Sequence, residues 1–544
     1  MSTNGNDTGL EYTGRFGGGL MADIRRRAPH YASDFYQGLH LKVLGSSLFM
    51  YFACLANAIA FGLLTAVVTH GEIGIPEMLV VTAVGGVAFA LLSGQPLTIL
   101  GGTGPIVIFT GLLYTSCQSI GIPFLPTYAW VGVWSGIMLI ICAVTDLSFL
   151  MKYFTRFTDE IFAALVAIIF IVEAVKDIAL TFTEPLEGQT EISHDTAFMS
   201  LVLALGTFAI ARNLKALRNS NYLRWTVREF LADFGPAIAI GVMTFIAVYF
   251  GALSAQLELG AETVQIGTPE GIELRTANVP ETFAPSVDRP WLVDMFSLPP
   301  WVWFSTILPA AMATILLYLD QNITTRLVNA PKNRLKKGGG FHLDLAVVGV
   351  ITVVGSLFGL PWMVAATVHA LNHVKSLATH EVTKVDGETR EVIKGVRENR
   401  VSPLLVHLMI GASLMLLPLV NLIPNAVLFG LFLYMGFATL AGNEFFERLR
   451  LWIMDPDLYP QTHYTHTVPM RVIHAFTALQ LLGLVALWVL KTSEIRGFPL
   501  GILFPLLIAL LVPFRIWLGR FFDSRHLYIL DVKESEDIDV PRLR

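Results

Sequence analysis

Long apolar stretches constrain this chain more than anything else in it. Val43 to Thr69, Ile161 to Thr181, Ala237 to Leu253 and Leu404 to Leu422 each come close to the length of helix, about 20 residues, that crosses a bilayer. The composition agrees. Only 15% of the 544 residues are charged, against about 25% in a typical soluble domain, and the mean hydropathy is +0.61. Too little polar surface remains to face water all round, so the chain reads as an all-α membrane protein set in a lipid bilayer. A net charge of −5 is too small to imply a nucleic-acid partner. Cys54, Cys117 and Cys142 lie in or beside apolar segments and form no disulfide or metal-ligand pattern. The sequon Asn322-Ile-Thr324 lies inside an apolar segment, which argues against a glycan there.

About fourteen spans are expected, over roughly 43–69, 76–93, 95–114, 126–150, 157–181, 196–212, 230–253, 300–327, 343–358, 362–376, 403–422, 424–442, 470–491 and 498–518. Basic residues orient them, because short cytoplasmic loops are enriched in Lys and Arg. Arg25 to Arg27 precede the first span, and Lys152 and Arg156 separate the fourth from the fifth. Arg212, Lys215, Arg218, Arg224 and Arg228 separate the sixth from the seventh; Lys332, Arg334, Lys336 and Lys337 follow the eighth. With fourteen spans all of these fall on one side, which predicts a multi-pass protein of the cell membrane with both termini cytoplasmic. The domain reading follows: 1–42 a cytoplasmic N-terminal segment, 43–253 a first repeat of spans 1–7, 254–299 an exterior loop containing Gly267-Thr268-Pro269-Glu270-Gly271, 300–518 a second repeat of spans 8–14, and 519–544 a cytoplasmic tail. Seven spans in each half force the second half to be inverted, a 7+7 plan known among secondary carriers.

Two short segments in matching places support the repeat. The third span opens Gly94-Gln95-Pro96-Leu97 and continues Gly101-Gly102-Thr103-Gly104-Pro105; the tenth opens Gly359-Leu360-Pro361-Trp362 and continues Ala365-Ala366-Thr367. A Gly-x-Pro opening removes one N–H and loosens the backbone. Unpaired backbone at membrane depth is tolerated where protein or a water-filled cavity satisfies it. Two half-helices pointing their N-termini at one another offer free N–H groups and positive dipole ends to an anion. Ordinary kinked helices remain the plainer reading of either segment alone.

Asp320 is the other signal, inside the eighth span. A carboxylate at membrane depth costs about 2.5–3.5 kcal/mol on the lenient insertion scale, so it usually faces a cavity, a cation or a proton path. Thr324 shares its helix face, and a carboxylate with a hydroxyl suits a hard cation such as Na⁺. A packing cluster with Gln321 and Asn322 explains the same residues equally well. Charged residues elsewhere read as structural: Arg156, Asp159 and Glu160 as a locally paired anchor, His342 and Asp344 as a membrane-edge cap. Glu173, Lys176 and Asp177 share a face near the exterior, where an outer gate is the alternative reading. No nucleophile–base pair, metal cluster or nucleotide loop is present in the sequence, so neither an enzyme nor a bound cofactor is expected.

Ten local motifs carry a resemblance: Asp23-Ile-Arg-Arg-Arg, Tyr51-Phe-Ala, Gln95-Pro-Leu-Thr-Ile-Leu, Thr103-Gly-Pro, Arg156-Phe-Thr, Ile323-Thr-Thr, Gly340-Phe-His-Leu-Asp-Leu, Phe358-Gly-Leu-Pro-Trp, Leu428-Phe-Gly and Leu433-Tyr-Met-Gly. From about residue 19 to 530 the chain resembles the bicarbonate transporter family of band 3 anion exchangers and sodium–bicarbonate cotransporters (solute carrier family 4). The resemblance implies core and gate domains, a homodimer, and an elevator-like carrier of bicarbonate or carbonate. It also implies a minimal member, without the large cytosolic domain of animal relatives. It places the anion among Gly102, Thr103, Ile106, Ala366, Thr367, Val368 and His369, and Na⁺ among Asp320, Thr324 and Thr367. In that family the chloride–bicarbonate exchangers carry Glu in span eight and Arg in span ten, and sodium-coupled members carry Asp and an apolar residue. Asp320 follows the sodium-coupled pattern, His369 follows neither, and Thr110 stands where animal relatives generally have Glu. A sodium-independent exchanger or a carrier of another oxyanion such as borate is the alternative, and a channel or a membrane scaffold a more distant one.

Overall fold

The computed structural model describes residues 10, 12–185, 193–260, 280, 283–385, 388–495 and 497–531. In chain order its main elements are α1 (Gly18–Arg27), α2 (Leu41–Val68), α3 (Ile75–Leu92), β1 (Leu100–Gly101), α4 (Gly104–Ile120), α5 (Phe124–Val144), α6 (Arg156–Leu180), α7 (His194–Ala216), α8 (Trp225–Asp233) and α9 (Gly235–Gly260). The second half holds α10 (Ile307–Val328), α11 (Phe341–Leu357), β2 (Val364–Ala365), α12 (Thr367–Leu377), β3 (Ala378–Val385), β4 (Glu388–Val396), α13 (Val401–Ala412), α14 (Asn425–Leu440), α15 (Glu444–Arg450), α16 (Met470–Thr492), α17 (Phe504–Leu518) and α18 (Ser524–Asp531).

Among the described residues eight helices are long and apolar enough to cross a membrane, or nine if α14 and α15, bent by 75° at their junction, form one span. The other expected spans fall on helices that are shorter, broken or more charged, such as α4, α6, α11 and α12. α9 runs to Gly260, seven residues past the expected end of the first half, and the Gly267–Gly271 motif lies outside the described residues.

Local chemistry fixes the helix starts. His40 Nδ1 accepts the Lys42 N–H at 3.0 Å to begin α2. Glu77 Oε2 accepts the Gly74 N–H at 2.9 Å to begin α3, with Pro76 in the first turn. The same buried carboxylate takes the N–H and hydroxyl of Ser286 at 2.8 and 2.6 Å, tying the described part of the expected exterior loop to α3. Packing then sorts the helices into two groups. α2, α3 and α13 pack together, as do α5, α10 and α11, whereas α6, α7, α9, α14 and α16 pack among themselves. α5 and α11 cross at Gly136 and Gly349, where a Cβ on Gly136 would lie 2.5 Å from the Gly349 carbonyl oxygen. Small residues permit that backbone approach.

One feature departs from the sequence reading. The all-α expectation gives way, among the described residues, to a mostly helical chain with three two-stranded ladders, the longest being the β3–β4 hairpin between α12 and α13. The N-terminal segment is tied to the bundle by buried charges. Arg27, 2% exposed, pairs with Asp34 and Glu398 at 3.3 Å each, and Asp34 also meets Lys337 at 2.5 Å and Arg400 at 3.4 Å. Buried charges survive only when mutually paired and hydrogen-bonded, and this closed set clamps residues 23–37 onto the ends of α3, α10 and α13.

Candidate site at the paired breaks

Both broken segments are extended where a continuous span would be helical, and they pair with each other. β1 and β2 form an antiparallel ladder with Leu100 opposite Ala365 and Gly101 opposite Val364. The Ala366 N–H continues it to the Ile99 carbonyl at 2.9 Å. The ladder satisfies backbone groups that the missing helical turns leave open. α4 then begins after Thr103 and α12 after Ala366, so two helix N-termini start from one crossing point.

Neighbouring side chains hold each segment open. Asp344 Oδ1 accepts the N–H groups of Gly94 and Gln95 at 2.7 and 3.0 Å, and Gln95 Nε2 donates to Asn329 at 2.9 Å. Asn57 Nδ2 donates to the Gly102 carbonyl at 3.3 Å. In the other segment the Trp362 N–H donates to Tyr128 Oη at 3.1 Å, and the two rings stack with centroids 4.2 Å apart. Gln321 Oε1 accepts the Ala365 N–H at 2.9 Å.

α10 passes the crossing and contacts both segments. Thr103 Oγ1 donates to Asp320 Oδ2 at 2.8 Å, and one turn on Thr324 Oγ1 lies 2.6 Å from Thr367 Oγ1 and 3.1 Å from the Ala365 carbonyl. The expected sodium ligands therefore divide: Thr324 and Thr367 touch, while Asp320 is bonded to Thr103. Of the residues expected around the anion, Gly102 and Ile106 are buried at the start of α4, Ala366 caps α12, and Val368 is 67% exposed. His369 Nε2 faces the Ala53 carbonyl at 3.2 Å, a contact that requires that nitrogen to be the donor. Among the described residues no group of three or more His, Cys, Asp or Glu could hold a metal ion.

Sequence reasoning missed Asn57 and Tyr128 as supports, named Gln321 only as a packing partner of Asp320, and read Asp344 as a cap without showing that its carboxylate ties down the first break. The Arg156 group pairs locally, Arg156 with Glu160 at 3.3 Å, and also beyond its own helix: Asp159 meets Arg326 of α10 at 3.2 Å, Arg156 meets Glu444 at 2.8 Å, and Glu160 meets Arg448 of α15. Glu173 pairs with Lys491 of α16 at 3.1 Å.

With this geometry in place, comparison with known proteins decides the family. Residues 15–191 and 183–535 match the HCO3⁻ transporter integral membrane domain. The chain belongs to the bicarbonate transporter family. Electrogenic sodium bicarbonate cotransporter 1 of Ambystoma tigrinum is 35% identical, covering 97% of this chain and 56% of that one. Electroneutral sodium bicarbonate exchanger 1 of Rattus norvegicus is 35% identical over 96% and 51%, and the band 3 anion transport protein of the same species 34% over 97% and 56%. The chain thus spans about half the length of the curated relatives it matches. Among solved structures, the transmembrane domain of the cyanobacterium bicarbonate transporter BicA matches with TM-score 0.52 and 16% identity, covering 82% of this chain and 98% of that one. SLC26A9 matches with TM-score 0.56 and 12% identity, covering 92% and 67%. At those identities the two structures speak for a shared transporter fold alone. The family is one of transporters, and this member is a multi-pass helical membrane protein.

Proposed function

We propose that this bicarbonate transporter family member carries bicarbonate or carbonate together with Na⁺ as a secondary active transporter. The single observation that supports it best is the antiparallel crossing of the two breaks beside Asp320. It gathers two half-helix N-termini, a carboxylate and the hydroxyls of Thr103, Thr324 and Thr367 in one cluster. N-terminal N–H groups and dipole ends favour an oxyanion, with Gly102, Thr103, Ile106, Ala366, Thr367, Val368 and His369 around it. Oxygens of Asp320, Thr324 and Thr367 suit Na⁺, which offsets the repulsion between Asp320 and the anion. Each ion then raises affinity for the other, and the doubly loaded site-bearing helices move against the remainder in an elevator-like alternation. Fourteen crossings in two inverted halves, cytoplasmic termini, a cell-membrane address and a homodimer complete the reading, which leans on the sodium bicarbonate cotransporters among the relatives. The band 3 relative, at nearly the same identity, favours sodium-independent exchange as the second reading.

The deciding experiment is uptake of labelled bicarbonate into proteoliposomes with and without an inward Na⁺ gradient, at clamped pH and voltage. Stimulation by Na⁺ and not by other cations is expected. Uptake driven only by trapped internal chloride or another anion would replace cotransport with exchange.

A further inference from the structure

The first break leaves the Leu97 carbonyl buried and, among the described residues, without a backbone donor. At membrane depth such a group needs a partner from the protein itself. It comes from the other half of the chain. His373, 276 positions on and within α12, places Nδ1 2.9 Å from the Leu97 oxygen. A carbonyl oxygen only accepts, so Nδ1 carries a proton. Nε2 lies 2.7 Å from Ser402 Oγ at the start of α13, and Asn399 Oδ1 accepts the N–H of Ser402 at 2.8 Å and lies 3.0 Å from its hydroxyl. His373, Asn399 and Ser402 are as buried as Leu97. The Ser402 hydroxyl has one proton to give. Donated to Nε2, it fixes the neutral ring with its own N–H at Nδ1; donated to Asn399, it leaves Nε2 as a second donor. Both arrangements keep the Nδ1–H on Leu97. A ring protonated at Nε2 alone would instead set a lone pair against the carbonyl oxygen.

This bond acts across the crossing. The β1–β2 ladder is only two residue pairs long, and the Ala366 N–H extends it to Ile99 at the cap of α12. His373 adds a second attachment further along α12, to Leu97 of the same extended segment. One attachment leaves a pivot; two fix a direction. The aim of the α12 N-terminus relative to that of α4 is thereby set, and binding groups work only when held within about 0.5 Å and 10–20° of their productive geometry. His373 makes no contact with the other residues expected around the ions. Its neighbour one turn nearer the break, His369, is turned to the Ala53 carbonyl of α2 instead. We propose that His373 is a positioning residue of the transport site: its Nδ1–H locks α12 to the first break and so sets how the two half-helix N-termini face a shared anion. The inference rests on the reading of the crossing as the anion site.

Two amide substitutions separate the two ring nitrogens. Asn can place an N–H where Nδ1 lies and lacks the Nε2 arm, whereas Gln reaches toward the Nε2 position and leaves Leu97 without its donor. Uptake of labelled bicarbonate is measured in proteoliposomes at constant Na⁺, with maximal rates scaled to folded protein. His373→Gln is expected to raise half-saturating bicarbonate by about fivefold or more, the effect of one neutral hydrogen bond on a binding constant, with a smaller change in maximal rate. His373→Asn recovers most of the lost affinity. Equal shifts in the two variants, or a loss confined to maximal rate, would reduce His373 to packing and overturn the proposal. ¹⁵N-histidine spectra of the full chain in lipid, with His373→Asn identifying the resonance, need neither transport nor a folded Gln variant. They are expected to show the proton on Nδ1, and a proton on Nε2 alone overturns the lock. Native protein with the Nδ1 proton but no saturable bicarbonate uptake supports the lock and sinks the transport reading instead.

Discussion

The two broken segments occupy matching places in the sequence, yet they are held by different forces. The first is fixed by charge. Asp344 ties down its opening N–H groups, and its last residue before α4, Thr103, donates to the Asp320 carboxylate. The second is fixed by neutral contacts: Trp362 stacked on Tyr128, the Gln321 amide, and the Thr324–Thr367 hydroxyl pair. Gly102 also presses against Phe61, whereas the matching Ala366 carries a methyl. A repeat that is symmetric in topology is thus electrically asymmetric. Charge at the first break and neutrality at the second create a polarised crossing, able in principle to order a cation and an anion side by side.

The strongest way to break this contrast is Asp320→Asn. The amide still accepts from Thr103, so the fold is expected to survive, while sodium-stimulated uptake in proteoliposomes falls by at least about tenfold, equivalent to about 1.4 kcal/mol. Full sodium-driven uptake by this variant would remove Asp320 from the coupling scheme. Gly102→Ala comes next. The added Cβ would lie 2.9 Å from Phe61 Cβ and 3.3 Å from Met78 Cε, and overpacking of this kind costs about 1–3 kcal/mol. Ala366→Gly removes one methyl, worth about 0.8 kcal/mol. Thermal midpoints in one detergent should therefore fall more for Gly102→Ala, and equal losses would mean the two breaks are packed alike. A smaller contrast separates Thr103→Val from Thr367→Val. Hydrogen bonds to charged groups contribute about 1.5–3 kcal/mol and neutral ones about 0.5–1.5. Unfolding measurements should show the larger loss at Thr103, and the reverse order would shift the charge-bearing role to the second break.

The sequence showed membrane helices, the places of both breaks and the depth of Asp320, because each leaves a local mark: a run of apolar residues, a Gly-x-Pro, a charge where charge is costly. What it concealed depends on contacts between distant residues. Nothing near Gln321 says that it accepts the Ala365 N–H 44 positions away, and Asp344 lies 250 residues from the Gly94 N–H it holds. The Asp320–Thr103 bond was hidden for the same reason, since helical spacing proposes Thr324 as the partner and cannot show a side chain from the first half. The β3–β4 hairpin follows a charged, strongly polar stretch between α12 and α13, where neither the membrane-span pattern nor the basic-loop pattern bears on strand formation.

The smallest effect lies at the foot of the first break, where Asp23 supports the start of α11. Its carboxylate accepts the N–H groups of His342 and Leu343 at 2.8 and 3.2 Å and pairs with Arg26 at 3.1 Å. Burial pushes its pKa up to about 7, outweighing the Leu343 N–H, Arg26 and the His342 N–H, which pull it down. A carboxyl whose pKa is raised on folding binds its proton more tightly in the native state. Its stabilising contribution is therefore complete below its unfolded value, about 3.9, and is lost as pH rises through about 7. Asp23→Asn fixes the neutral form. Between about pH 5.5 and 8 the native chain should lose a few degrees of thermal midpoint relative to this variant, on the scale of about 2–8 °C per kcal/mol for domains. A gap that stays constant, or that moves in favour of the native chain as pH rises, would mean that burial does not bring the titration of Asp23 into this range.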